Sequence, residues 1–126
     1  MKELTLEWIN KAEEDYIVAI RESRTEPVIY NAVCFHCQQS VEKYFKAYLQ
    51  EMSIEFEKTH DIRFLYEKIK DKLKNLSEYK DDFDELSLWA VELRYPGVSA
   101  EKEDAEKSLK IMIKVREVIR NILGLT

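Results

Sequence analysis

The sequence predicts an all-α protein, a four- to five-helix up-and-down bundle formed by one domain over residues 1–126. Three observations predict it. The 126 residues contain only two Gly and two Pro, so long helices joined by few loops are the economical arrangement. Apolar residues recur at spacings of three and four in five separate segments, the period of helices with one buried face. Apolar residues make up 45% of the chain and charged ones 36%, the balance of a globular protein rather than a disordered one. A chain of this length can close one core without disulfides or metal.

The first helix is expected from about Leu6 to Ser23, with Ile9, Ala12, Tyr16 and Ala19 on one face and Thr5 as its cap. Pro27, suited to a first helical position, is expected to open the second, which continues to about Met52. The segment MSIEFEK reads as extended or irregular and too short for a sheet. A third helix follows KTHD, with Ile62, Leu65, Ile69 and Leu73 inward. A fourth carries Tyr79, Phe83, Leu86, Ala90 and Leu93, and Pro96 stops it by pushing Tyr95 out of helical geometry. The fifth begins after Ser99 in the acidic run EKEDAE, favourable at a helix N-terminus, and ends in NILG. Ile111, Val118 and Leu123 widen its apolar stripe. That surplus fits either a dimer interface or a helix buried between two neighbours.

The formal net charge of −5 argues against a basic footprint over the whole chain. The distribution is uneven, however, with net −7 over residues 81–106 and net +4 over 107–126, which leaves room for a local polar binding face. No apolar run is long enough to span a bilayer, and the N-terminal MKELTLEWINKAEEDY turns acidic where a signal peptide would be apolar. A cytoplasmic location is expected, and with it free thiols at Cys34 and Cys37.

Those two cysteines flank His36 in CFHC, a spacing that raises redox and zinc chemistry. A redox pair belongs at a helix N-terminus after a strand, where the dipole lowers the thiol pKa; this pair begins well inside a helix. Zinc needs four converging ligands, and His36 points roughly 100° away from Cys37 on a helical wheel. The only other histidine is His60. Cys37 falls in the middle of the apolar sector and Cys34 at its edge, so both read as small buried hydrophobes. No metal and no cofactor is expected.

On the opposite face His36, Gln39, Lys43, Lys46 and Gln50 form a polar stripe over four turns within a sector of roughly 80°. It reads either as a solvated face or as a set of hydrogen-bonding groups for a ligand. His60 and Asp61 read as a loop residue and an N-cap of the third helix. Arg94 complements the dipole of the fourth helix or grips an anion. Asp15 is as well placed to pair with Arg94 or Lys43 as to touch a ligand.

The run CFHCQQSVEKYFKAYL at 34–49 resembles the signature of the HEPN family (higher eukaryotes and prokaryotes nucleotide-binding domains). The resemblance extends to AEEDYIVAI with Ala12, Asp15 and Ala19, to THDI at 59–62 and to LRYPG at 93–97, in order and over nearly the whole chain. It implies an all-α bundle, commonly a homodimer, often encoded beside a minimal nucleotidyltransferase in toxin–antitoxin-like pairs.

Many members of that family are metal-independent ribonucleases that use an Arg followed four to six residues later by His. The imidazole moves the 2′-hydroxyl proton and the cation stabilises the developing phosphorane charge. Arg94 is the counterpart of the arginine, but YPGVSAE follows it, with no downstream histidine. Catalysis then requires His36 or His60 to reach the cleft from another helix, or Tyr95 to stand in, and a phenol is a poor base at neutral pH. A binding role suits the residues better. Arg94 grips phosphate, Lys43 and Lys46 add point charges, Asn31, His36 and Gln39 hydrogen-bond a base or ribose, and Tyr95 stacks. The expectation is a module binding a nucleotide or single-stranded RNA, with a nucleotidyltransferase partner. The alternatives are an endoribonuclease with a degenerate Arg/His pair and a non-catalytic dimeric interaction module.

Overall fold

The computed structural model of the protein describes residues 1–125, and within them every regular element is helical. In chain order these are α1 (Glu3–Ser23), α2 (Tyr30–Glu51), α3 (Ile62–Glu67), α4 (Asp82–Leu88) and α5 (Lys102–Ile122). Short 3-10 turns lie at Lys70–Lys72, Lys74–Tyr79 and Glu92–Arg94. The all-α bundle predicted from periodicity is the fold.

Which side chains meet gives the helix directions. Thr5 bonds Glu51 while Asp15 bonds Lys43 and His36, so α1 and α2 are antiparallel. Asn31 meets Ala100, Cys34 meets Ser108, and Tyr44 meets Arg120, so α5 runs parallel to α2. The short elements between them carry the chain back along the bundle. The centre of the core is α2, whose Val33, Cys37, Val41, Tyr44, Phe45 and Leu49 are fully buried. Phe45 packs edge-on against Phe83, with ring centroids 5.4 Å apart, and lies 6.1 Å from Tyr66. That aromatic group fastens α3 and α4 to α2.

The boundaries differ from the predicted ones for identifiable reasons. α1 starts at Glu3, not Leu6, and Thr5 is buried inside its first turn rather than capping it. The Glu51 carboxylate of α2 accepts from the Lys2 amide at 3.1 Å and from the Thr5 hydroxyl at 3.0 Å. A carboxylate beside a helix N-terminus suits the dipole, so a neighbouring helix does the capping. Pro27 does not open α2, because Ile29 is extended (φ −95°, ψ 95°) and the helix begins at Tyr30. Asp61 caps α3 as expected, its side chain accepting from the Phe64 amide at 3.1 Å. α3 then gives way to 3-10 turns. Lys68, Lys70, Lys72 and Lys74 would place like charges four residues apart in a continuous helix, which opposes its extension. The fourth helix is likewise shorter than predicted: Tyr79 lies in the preceding 3-10 turn and Leu93 in the following one.

At α5 a capping box closes the N-terminus, with the Glu101 and Asp104 side chains each accepting from the other's backbone amide. Ile111 and Val118 are buried within the chain, and Leu123 packs against the same core. The widened stripe therefore belongs to a helix held between neighbours. α1 and α5 are also joined electrostatically. Glu13 accepts from Arg116 Nε at 2.7 Å and from its terminal nitrogen at 2.8 Å, and from the Tyr44 hydroxyl of α2. The Arg116 guanidinium in turn covers the Tyr16 ring at 4.3 Å.

Candidate functional site

The polar stripe of α2 faces α1 and the loop before α3, and four of its five side chains are hydrogen-bonded to α1 or within α2. Asp15 of α1 accepts from His36 Nδ1 at 2.8 Å and from Lys43 Nζ at 2.6 Å. Lys43, not Arg94, is thus the basic partner of Asp15. One turn on, the Glu42 carboxylate, whose side chain is 4% exposed, accepts from Lys46 Nζ at 2.9 Å, His60 Nδ1 at 2.8 Å and Gln38 Nε2 at 3.0 Å. Lys46 is itself buried, with its ammonium 5.4 Å from the centroid of the Trp8 ring. Gln39 donates to the Gln38 side-chain oxygen at 2.6 Å. Gln50 borders a depression shared with Lys2, Ser53 and Phe56.

A carboxylate only accepts, so Asp15 and Glu42 each require the proton of their histidine on Nδ1. Both imidazoles therefore turn Nε2 away from the carboxylate. His36 also stands edge-on to Phe35, with centroids 5.2 Å apart. The two histidines answer to different carboxylates, Asp15 and Glu42, and share no partner among the described residues.

The remaining predicted residues lie elsewhere. Asn31 Oδ1 accepts from the Ala100 amide at 2.7 Å and so ties the start of α2 to the segment preceding α5. Arg94 ends the 3-10 turn Glu92–Arg94 rather than the fourth helix, and its guanidinium has no hydrogen-bond or ion-pair partner among the described residues. Tyr95 follows in extended conformation and is 59% exposed. Gly97 continues the turn with φ 93°, a geometry that suits glycine. No hydrogen bond or ion pair joins Arg94 to either histidine among the described residues.

Glu42 and Gln38 are functional-looking residues that the periodicity reading passed over. The signal was their spacing: Gln38, Glu42 and Lys46 repeat every four residues beside the stripe. Their convergence on His60 arises only when the loop ahead of α3 folds over α2.

The cysteines are settled by burial. Both are fully buried. Desolvation pushes the Cys34 thiol up to about 11, while its contact with the Ser108 hydroxyl opposes the rise. Burial raises the Cys37 thiol well above its ordinary value too. Such thiols stay protonated and unreactive. Among the described residues no group of three or more His, Cys, Asp or Glu is arranged to hold a metal ion, and no helix is long and apolar enough to cross a membrane.

The basic run of α5 is largely engaged within the fold. Lys107 pairs with Asp82 at 3.1 Å and Glu85 at 2.9 Å, Lys114 pairs with Glu117 at 3.7 Å, and Arg116 and Arg120 pair with Glu13. The local excess of positive charge in the sequence is therefore not a free basic surface.

Compared with known proteins, the chain matches no curated protein and no solved structure. It does match a family model, the HEPN domain, over residues 5–122. The matched span runs from the first turn of α1 to the end of α5, through the α2 signature with its two histidine–carboxylate contacts and the Arg94–Tyr95 turn, and the chain belongs to the HEPN domain family.

Proposed function

We propose that this HEPN domain binds a nucleotide or single-stranded RNA through the turn carrying Arg94 and Tyr95. Family membership supports a nucleotide- or RNA-related module. One observation carries the choice of residues. Of the seven predicted ligand contacts, Asn31, His36, Gln39, Lys43 and Lys46 are hydrogen-bonded inside the fold, whereas the Arg94 and Tyr95 side chains have no hydrogen-bond or ion-pair partner among the described residues. An unpaired guanidinium takes phosphate with two parallel hydrogen bonds, and an exposed phenol ring offers a stacking face to a base. His36 and Lys43, partly exposed beside Asp15, are a second contact point for a longer strand.

A second reading, metal-independent RNA cleavage, draws on the histidine geometry. Asp15 holds His36 in the tautomer with a free Nε2, the form a general base requires. Against it stands the absence of any contact linking that imidazole to Arg94.

The family resemblance further supports a homodimer and a nucleotidyltransferase partner of the toxin–antitoxin type. That proposal no longer rests on Ile111 and Val118, which α5 buries in its own chain.

One experiment separates binding from cleavage: labelled single-stranded RNA incubated with chelator, read both by gel shift and by product length. Wild type is expected to shift the RNA uncut, and Arg94→Ala to weaken the shift at least about tenfold, the loss of one charge-assisted contact. Cutting by wild type but not by Arg94→Ala would establish the ribonuclease reading instead. An equal shift by both proteins would remove Arg94 from the site.

A further inference from the structure

Outside that turn, an open pocket of about 310 Å³ lies between the loop ahead of α3 and the helix α4, lined by His60, Asp61, Asp84, Ser87 and Leu88. The hydrogen-bonding capacity of its wall is one-sided. His60 gives its Nδ1 proton to Glu42, so in its neutral form the half-exposed ring, 56% accessible, presents Nε2 as an acceptor. Asp61 engages Oδ1 with the Phe64 amide, and Asp84 engages Oδ2 with Arg63 at 2.8 Å. Each retains a second carboxylate oxygen with no partner among the described residues. Ser87 has no proton to offer, because its hydroxyl donates to the Phe83 carbonyl at 2.7 Å and accepts from the Ile62 amide at 2.9 Å. Leu88, 54% exposed, forms the apolar edge.

One imidazole nitrogen, two carboxylate oxygens and an apolar edge suit a ligand rich in donors on an alkyl stem. The charge agrees. Asp61 and Asp84 both line the pocket, and the one nearby cation, Arg63, is shared between Asp84 and Asp81. The network behind the pocket also has a purpose on this account. Glu42 is a buried carboxylate already neutralised by Lys46. Its further contact with His60 fixes the direction in which His60 offers its Nε2.

We propose that this pocket binds an alkyl guanidinium, the arginine side chain of a partner protein. Its planar fork supplies several N–H groups at spread angles, which suits three separated acceptors better than the compact ammonium of lysine. The methylenes of the arginine cover Leu88 while the guanidinium spans His60 Nε2 and the free oxygens of Asp61 and Asp84. This site is independent of the Arg94 turn.

The test is an NMR titration of the full chain with N-acetyl-arginine methylamide, with N-acetyl-lysine methylamide and spermidine as parallel arms. The His60 ring nitrogens and the Leu88 methyls are observed. Before any ligand is added, the His60 ring is expected to carry its proton on Nδ1. Arginine amide should shift His60 and Leu88, the lysine analogue should bind at least about fivefold more weakly, and Arg94→Ala should bind as wild type does. Asp84→Asn, an exposed substitution that leaves the core intact, should weaken arginine binding about tenfold. An Nε2–H tautomer in the free protein, shifts confined to other residues, or an unchanged affinity in Asp84→Asn would each overturn the proposal. Tighter binding of lysine amide or spermidine would overturn the guanidinium assignment.

Discussion

Cys34 and His36 sit two residues apart on one helix and have opposite fates, because two residues of helix rotate a side chain by roughly 200°. Cys34 is turned into the core against Ser108, and His36 out toward Asp15. One residue beyond His36, a further turn of roughly 100° brings Cys37 back fully inside. Both thiols being raised by burial, neither is expected to react with an aromatic disulfide reagent at pH 8 within the time that consumes free cysteine. Both should react once the chain is unfolded in guanidinium. Labelling of the folded protein at the rate of free cysteine would show a thiolate at the surface and contradict the burial. At this scale the sequence was informative: the wheel position of each cysteine gave its surroundings. It was uninformative for Glu42, because a charged residue on a helix gives no sign of whether a loop will fold over it.

Between elements, the contact of greatest consequence is the Glu13 clamp linking α1, α2 and α5. Burial by itself would raise the Glu13 carboxyl. The hydrogen bonds from Arg116 and Tyr44, with the charges of Arg116 and Arg120, outweigh it and hold the group below its ordinary 4.5. Burial and the Glu13 hydrogen bond push the Tyr44 phenol in the opposite direction, upward. A carboxyl depressed in the folded state stabilises the fold fully above its unfolded pKa of 4.5 and ceases to do so as pH falls through the lower folded value. Glu13→Gln is therefore expected to lose about 1–3 kcal/mol at pH 7, with the gap to wild type narrowing below pH 4.5. Urea unfolding of both proteins at pH 7 and pH 3 checks it, and a gap of equal size at both values would assign the loss to packing instead. The long helices were legible because their apolar spacing persists over many turns. For α3 the spacing of Ile62, Leu65, Ile69 and Leu73 is compatible with a longer continuous helix, and only the neighbouring lysines oppose it. The clamp itself lay outside any local pattern, since Glu13 and Arg116 are joined across most of the chain.

For the molecule as a whole, the parallel pairing of α2 with α5 sets the order of assembly. α1 and α2 are neighbours in sequence and close on each other through a loop of a few residues, whereas the contacts of Asn31 with Ala100, of Glu13 with Arg116 and of Tyr44 with Arg120 join parts of the chain separated by 69, 103 and 76 positions. Loop closure over such separations is entropically costly before any contact compensates it, and non-local contacts slow folding. The α1–α2 hairpin is thus expected to form early and α5 to dock last. Conservative core substitutions in that hairpin, such as Val41→Ala, should slow folding, while Val115→Ala should chiefly speed unfolding. Stopped-flow rates for the two variants decide it, and the reverse pattern would place α5 in the nucleus. Such a bundle consequently takes longer to fold than one in which every helix packs against its immediate neighbour in sequence. Until α5 docks, the apolar flank of the hairpin that it covers is open to contacts with other chains.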